Sequence, residues 1–359
     1  MKHFFTTTLR LLKVQWFLTL INVIGLTIGI MCAIFIFLWV QDERSYDKIH
    51  PESDRIYRVE SLMDFESPTL WTVAPDPIAE AIKADFPEVE ESVKMKSGYK
   101  ITISNGEDNF FERGLYYVSP SFFEMFHFPI SKQKALEALE DPFSLLISET
   151  LSKKYFGDDN PIGQSLKVNN KYTFTITGTF PDYPDNSHLK IDFLAPYSTL
   201  KSMGEELGKW GRFDYLTYVK LKAGTDVEVF RDKILDYTKR YDSRTVAQLQ
   251  LQSLENIHLF SQSGTGSISK VRIISLIGIL ILMIAFINFI NISTSLAIQR
   301  HKEIAIRKTV GASRKEIVNQ IYYELGFLTL IAGIISIVAT AVLLPIFNDF
   351  IGKQIVINT

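Results

Sequence analysis

The chain has 359 residues, room for about two domains, and 47% of them are hydrophobic. A formal net charge of −2 excludes the global basic field of a nucleic-acid binder, so no nucleic-acid partner is expected. Cys32 is the only cysteine, which excludes an intrachain disulfide framework and a cysteine-built zinc site.

In chain order, residues 1–15 form a basic stub carrying Lys2, Arg10 and Lys13 and no acid. Residues 16–40 then run without a charged side chain. A bilayer core of about 30 Å needs about 20 apolar residues in a helix, so this segment is predicted to span a membrane. It is too long for a cleaved signal peptide, and no small-residue cleavage site precedes Gln41, Asp42 and Glu43, so it is read as an uncleaved anchor. Gly25 and Gly29 within it form a GxxxG pair, a spacing that lets two helix backbones approach closely.

Residues 41–270 read as a mixed domain of the α+β class, because strands and helices follow one another without regular alternation. Strands are predicted over Arg55 to Glu60, Tyr99 to Ser104, Ser144 to Ile147, Ser165 to Val168, Tyr172 to Gly178 and Thr217 to Leu221. Helices are predicted from Pro77 to Phe86, Glu149 to Phe156 and Val227 to Tyr241. Turns are expected at Asn105-Gly106, at Gly157 to Pro161 and at Asn169-Asn170. Phe122, Phe123, Phe126 and Phe128 cluster around Met125 and are expected to pack in the core. The six histidines show no metal-ligand spacing, and Asp182, Asp185 and His188, between Pro181, Pro184 and the following chain, read as a turn. Gly264 to Lys270 lacks the glycine that a phosphate-binding loop places before its lysine. No nucleophile elbow is present. The expectation is therefore a protein without catalytic residues, cofactor or metal. Ser261 to Ser267 is small and polar and reads as a flexible joint.

Residues 273–298 and 325–347 are two further uncharged spans. Asn288 and Asn291, near the inner end of the second, are expected to hydrogen-bond between helices. No Asp, Glu, Lys or Arg lies in the middle of any span, which argues against a proton relay, an ion pathway or a voltage sensor. Residues 299–324 join these spans and carry Arg300, Lys302, Arg307, Lys308, Arg314 and Lys315 against Glu303 and Glu316. By the positive-inside rule this loop and the N-terminal stub are cytoplasmic. Residues 41–270 and the tail 348–359 then lie outside. Within the loop the second helix is expected to run on to about Lys308 and stop at Gly311. Ser313 then starts a new helix, with Glu316 completing a capping box. The result is a charged helical elbow.

At Arg300 to Ala312, with the pattern Arg-x-Lys-Glu-Ile-x-Ile-Arg-Lys-x-x-Gly-Ala, the chain resembles the permease subunits of MacB/FtsX-type ABC transporters. Similar stretches are Glu324 at the start of the third span, Asn22-Val-Ile-Gly-Leu-Thr-Ile-Gly29, Asp42-Glu-Arg-Ser-Tyr-Asp47 and His50-Pro51. Leu151-Ser-Lys-Lys-Tyr-Phe-Gly157, Asn160-Pro-Ile-Gly163 and Asn186-Ser-His188 extend the likeness through the outer domain. The resemblance implies a periplasmic core domain with two α+β lobes. It also implies that Arg300, Lys302, Glu303, Arg307, Lys308, Gly311, Ala312, Ser313, Glu316 and Glu324 form the coupling surface for a separate ABC ATPase. ATP-driven motion would pass through the spans to the outer domain, for export, lipoprotein extraction or peptide resistance. The implied setting is the bacterial inner membrane and its lipid, with a second permease unit and a periplasmic adaptor as further partners. The alternative within the family is a scaffold that activates a cell-wall hydrolase, but such relatives have smaller outer domains. The family unit has four spans, so a chain with three is expected to be the N-terminal part of a longer permease.

Overall fold

The structure is a computed structural model and describes residues 16–356 apart from 65, 107, 244, 262–265 and 300; at 299, 301–303 and 307 it describes the backbone alone. The basic stub, the middle of the Ser261–Ser267 joint and Arg300 lie outside the described residues. The chain divides into a helical unit, up to Arg44 and from Ile268 onward, and an outer unit, Ser45–Ser267.

Among the described residues, three helices, all in the helical unit, are long and apolar enough to cross a membrane: Trp16–Arg44, Ile268–Ile298 and Arg314–Ile351, whose most apolar 18-residue stretches have mean hydropathies of 2.7, 2.9 and 2.6. All three outrun their apolar cores. The third shows why: Ser313 caps its start, and Gly352, at φ 65°, ends it 38 residues later. Pro345 lies inside it and removes one backbone donor, a loss that neighbouring helices make tolerable in a membrane. The first helix packs against both others, and Leu26, Phe289, Leu328 and Ala332 form the buried centre of the bundle.

The outer unit is built on a mixed sheet. Its strands are β1 (Ile56–Met63), β2 (Thr69–Trp71), β3 (Ala74–Pro75), β4 (Val89–Ser97), β5 (Ile101–Asn105), β6 (Asp108–Glu112) and β7 (Leu115–Val118). They continue with β8 (Ser144–Ser148), β9 (Ser165–Val168), β10 (Tyr172–Phe180), β11 (Phe193–Pro196), β12 (Phe213–Leu221) and β13 (Ala247–Ser253). The order is β13-β1-β12-β4-β7-β11-β8-β10-β9-β5-β6, with β2 beside β1 and β3 beside β12. β8–β10 and β7–β11 are parallel and the other pairs antiparallel, the mixture expected of an α+β domain. Three apolar clusters lie along this sheet. Val59, Ile78, Ile82, Val219, Phe230 and Leu251 form the one at the β13 side. The four phenylalanines of 122–128 are buried in the middle one, as packing residues should be. Ile103, Leu166, Phe174 and Ile176 sit in the third, under β5, β9 and β10.

Local chemistry explains where elements begin and end. Asn169 and Asn170 both take positive φ, 53° and 54°, as the central residues of a tight turn between β9 and β10, closed by the Lys171 amide donating to the Val168 carbonyl at 3.1 Å. Tyr99 does not start β5: its φ is 52°, and its amide donates to the Ser97 hydroxyl, so the strand begins at Ile101. The helix predicted to reach Tyr241 stops at Ile234, and a 3-10 turn covers Tyr237–Arg240. The reason is tertiary. The Leu235 carbonyl accepts from the Leu249 amide at 2.8 Å, and the Thr238 hydroxyl donates to the Ala247 carbonyl, so β13 takes bonds the helix would need.

Candidate functional site

The elbow is a helix, His301–Thr309, a four-residue connection, Val310 to Ser313, and the start of the third span helix at Arg314. The turn closes through Val310 N–H to Ile306 O at 3.2 Å and Gly311 N–H to Lys308 O at 3.1 Å. Gly311 sits at φ 98°, where an L side chain is strained, although a Cβ there would meet nothing within 4 Å. The Glu316 amide donates to the Ser313 hydroxyl at 3.3 Å, and the Glu316 carboxylate accepts from the Ser313 amide at 2.8 Å. Two free amides of the helix start are thereby satisfied. Lys308, Gly311, Ser313 and Glu316 are exposed, Ala312 is half-buried and Glu324 is buried. Two apolar side chains stand out from the same turn: Ile306 is 64% exposed and Val310 is 83% exposed.

The span helices are held by close approach. A Cβ added at Gly29 would fall 2.2 Å from the Ala285 Cβ, so glycine is what lets these two helices touch. Gly25 is looser: a Cβ there would lie 3.6 Å from the Asn288 amide nitrogen. The interhelical amide bond comes from Asn22, which is buried and donates to the Ser293 hydroxyl at 2.9 Å and, more weakly, to the Phe289 carbonyl at 3.4 Å. Asn288 and Asn291 are exposed on the surface of the chain.

The first segment of the outer unit is anchored by a buried polar knot. Asp47 Oδ1 accepts from the Ser187 hydroxyl at 2.8 Å and the His188 amide at 3.0 Å, and His188 Nδ1 lies 2.8 Å from it. The Asp47 amide donates to the Asn186 carbonyl, and the Asn186 amide group donates to the Ser45 hydroxyl. His188 Nε2 shares a 2.7 Å hydrogen bond with the Tyr218 hydroxyl on β12. His50 Nδ1 accepts from the His127 amide. Burial alone would raise the Asp47 carboxyl, but attraction from His188 and hydrogen bonds from His188 and His50 hold it well below the usual carboxylate range. Burial pushes His188 below the ordinary histidine value, against the opposing pull of Asp47. Thus Asp47, His50 and Asn186 to His188, far apart in sequence, form one buried unit. Asp182 serves elsewhere, accepting from the Thr150 amide, and no cluster that could hold a metal occurs among the described residues.

The family profile described as MacB-like periplasmic core domain matches residues 19–237, more than half of the chain, and FtsX-like permease C-terminal matches 275–359. The chain belongs to the MacB/FtsX-like family of ABC transporter permeases. Relatives include macrolide export ATP-binding/permease proteins MacB. That of Chlorobium luteolum is 28% identical over 220 residues, covering 59% of this chain and 32% of its own. That of Campylobacter fetus is 31% identical over 195 residues, covering 54% and 29%. The chain spans about a third of the length of the curated relatives it matches. The solved periplasmic region of MacB from Actinobacillus actinomycetemcomitans matches 57% of this chain and 91% of its own at 14% identity, with a TM-score of 0.41.

In this permease the structure brings together Gly311, Ala312, Ser313 and Glu316 at the elbow, and Gly25 and Gly29 on one helix face. The side chains of Lys302, Glu303 and Arg307 lie outside the described residues. Sequence reasoning missed Ile306 and Val310 as exposed apolar points, and it missed Asn22 and Ser293. The signal for Asn22 was present: a buried-length apolar run holding one amide near the middle of its inner half needs a partner.

Proposed function

We propose that this chain is a permease unit that couples ATP hydrolysis by a separate ABC ATPase to movement of its outer domain. The ATPase docks on the elbow, where Arg300, Lys302, Glu303, Arg307 and Lys308 supply charge, Gly311 to Glu316 set the bend, and Glu324 lies where the helix enters the third span. The unit sits in the bacterial inner membrane with its large domain in the periplasm, and it works beside a second permease unit. Substrate is handled outside the membrane and not conducted through the spans. The ATP-hydrolysing step is assigned to that ATPase.

One observation carries this reading: a capped helix break, with exposed Ile306 and Val310, placed in the charged connection between two spans. A basic loop that served only to orient the chain would need neither the glycine turn nor the reciprocal cap. An exposed apolar pair on a rigid turn is what a groove on a soluble partner can grip.

Gly311→Val tests it. A β-branched residue at φ 98° is strained while its side chain meets empty space, so the turn geometry changes and nothing else does. Strain of about 1–2 kcal/mol corresponds to about tenfold weaker retention of the ATPase. Membrane insertion and outer-domain folding should be unchanged. Wild-type retention and wild-type ATP-driven function in the variant would overturn the reading.

A further inference from the structure

We infer that Lys353, acting through Asp42 and Glu43, is the positioning contact that passes elbow motion to the outer domain; the inference rests on the coupling function above. The third span helix is one unbroken element from Arg314, beside the capping box, to Ile351. At 1.5 Å per residue it is about 57 Å long, enough to carry a push from the elbow to the far membrane face. Its far end is built, not frayed. The Gly352 and Lys353 amides both donate to the Asn348 carbonyl. The Asn348 side chain donates to the Ile355 carbonyl at 3.0 Å and accepts from the Ile355 amide at 3.3 Å. Lys353 is therefore held in a fixed turn.

From that turn the Lys353 ammonium reaches two carboxylates, Asp42 Oδ2 at 2.6 Å and Glu43 Oε1 at 2.6 Å. The three side chains are 18%, 19% and 7% exposed, so this is a sheltered ion cluster, in which removing one member leaves a poorly solvated charge. Asp42 and Glu43 belong to the last turn of the first span helix, which ends at Arg44. Below the cluster the same two helices meet through stacked Phe35 and Phe347 rings at 4.5 Å and through Leu26 against Leu328 and Ala332. The first and third helices are thus tied along their length and pinned at the outer end.

The chain then passes from Arg44 to Ser45, the first residue of the outer unit, and Asp47 is fixed in its buried knot. Only two residues separate the end of the helix from that anchor. The knot continues through His188 and Tyr218 into β12, and Tyr218 pairs with Arg58 of β1 in the sheet. The route we infer runs elbow, third helix, Lys353, Asp42 and Glu43, then along the chain to Asp47.

The test uses the full chain with its ATPase in lipid nanodiscs, on a Cys32→Ser background, with Glu140→Cys carrying an environment-sensitive fluorophore on the outer domain. The readouts are ATPase retention, ATP hydrolysis and the ATP-dependent fluorescence change. Lys353→Met is expected to lose the fluorescence change while retention and hydrolysis persist. Lys353→Arg is expected to keep it. The exchange Lys353→Glu with Glu43→Lys restores one ammonium facing two carboxylates and is expected to recover it. A wild-type signal in Lys353→Met overturns the inference. So does loss of ATPase retention in that variant, or failure of the exchange to recover the signal, since either marks a merely structural role. If the wild type itself gives no ATP-dependent change, the coupling function falls and this route falls with it.

Discussion

Gly29 and Gly25 share one sequence motif but differ in what surrounds them, and alanine at each position separates packing from pattern. A Cβ at Gly29 would sit 2.2 Å from the Ala285 Cβ. Carbon atoms rest at about 3.5–4.0 Å, so the first and second span helices must part locally by about 1.5 Å. That displacement stretches the 2.9 Å Asn22–Ser293 bond beyond hydrogen-bonding range. Overpacking costs about 1–3 kcal/mol, and an interhelical hydrogen bond in a bilayer is worth about 0.6–1.7 kcal/mol. Gly29→Ala is therefore expected to destabilise the bundle by on the order of 2–4 kcal/mol. At Gly25 the new Cβ would lie 3.6 Å from the Asn288 amide nitrogen, an ordinary contact, so Gly25→Ala is expected to be close to neutral. A mixed-micelle unfolding titration, followed by helix ellipticity, reads both. Equal stability of wild type and Gly29→Ala, or an equal cost at the two positions, would refute the packing described for this interface.

Two more perturbations address the elbow and the outer domain. Ser313→Ala removes an N-cap and is expected to cost about 0.5–2 kcal/mol locally, read as faster hydrogen exchange at the amides of 314–316, with Ser313→Thr largely preserving protection. Asp192 is half-buried; burial first, then repulsion from Glu112 and Asp182, pushes its carboxyl up to about 6 from 3.8. The unfolded chain ionises first as pH rises, so folding is progressively penalised between about pH 4 and pH 6 and the penalty is constant above that, on the order of 2–3 kcal/mol. Asp192→Asn is expected to raise the melting temperature at pH 7.5 and leave it unchanged at pH 3.5. A melting temperature at pH 7.5 equal to that of wild type would contradict the shift.

Features set by a few adjacent residues were legible in the sequence. The Ser313–Glu316 cap, the Asn169-Asn170 turn and the three long apolar runs depend on local chemistry, and each stands where its residues put it. Features set by distant partners were not. β4, Val-Glu-Glu-Ser-Val-Lys-Met-Lys-Ser, looks like a solvated charged stretch, yet it is a central strand, because Val93 and Met95 face the core while Lys94 and Lys96 reach Asp76 and Glu205. β7 and β11 are four-residue strands, too short for a period to show, and they become strands by pairing with each other in parallel and with β4 and β8 antiparallel. The helix after Val227 was overextended because nothing in its own residues says that β13 will claim the Leu235 carbonyl. At the candidate site, glycine spacing marked the helix face but not which glycine bears the contact. The Asp47 knot was visible only as short unlinked stretches, Ser45 to His50 and Asn186 to His188, until folding joined them.

The central claim is that the elbow seats an ATPase. Its most direct measurement is co-purification, from native membranes in mild detergent, with an ABC-type ATPase of the same organism, comparing the wild-type chain with one whose residues 300–316 are replaced by a neutral linker. Retention by the wild type and loss by the replaced chain, with both inserted and folded, is the expected result. Equal retention by the two chains would contradict it.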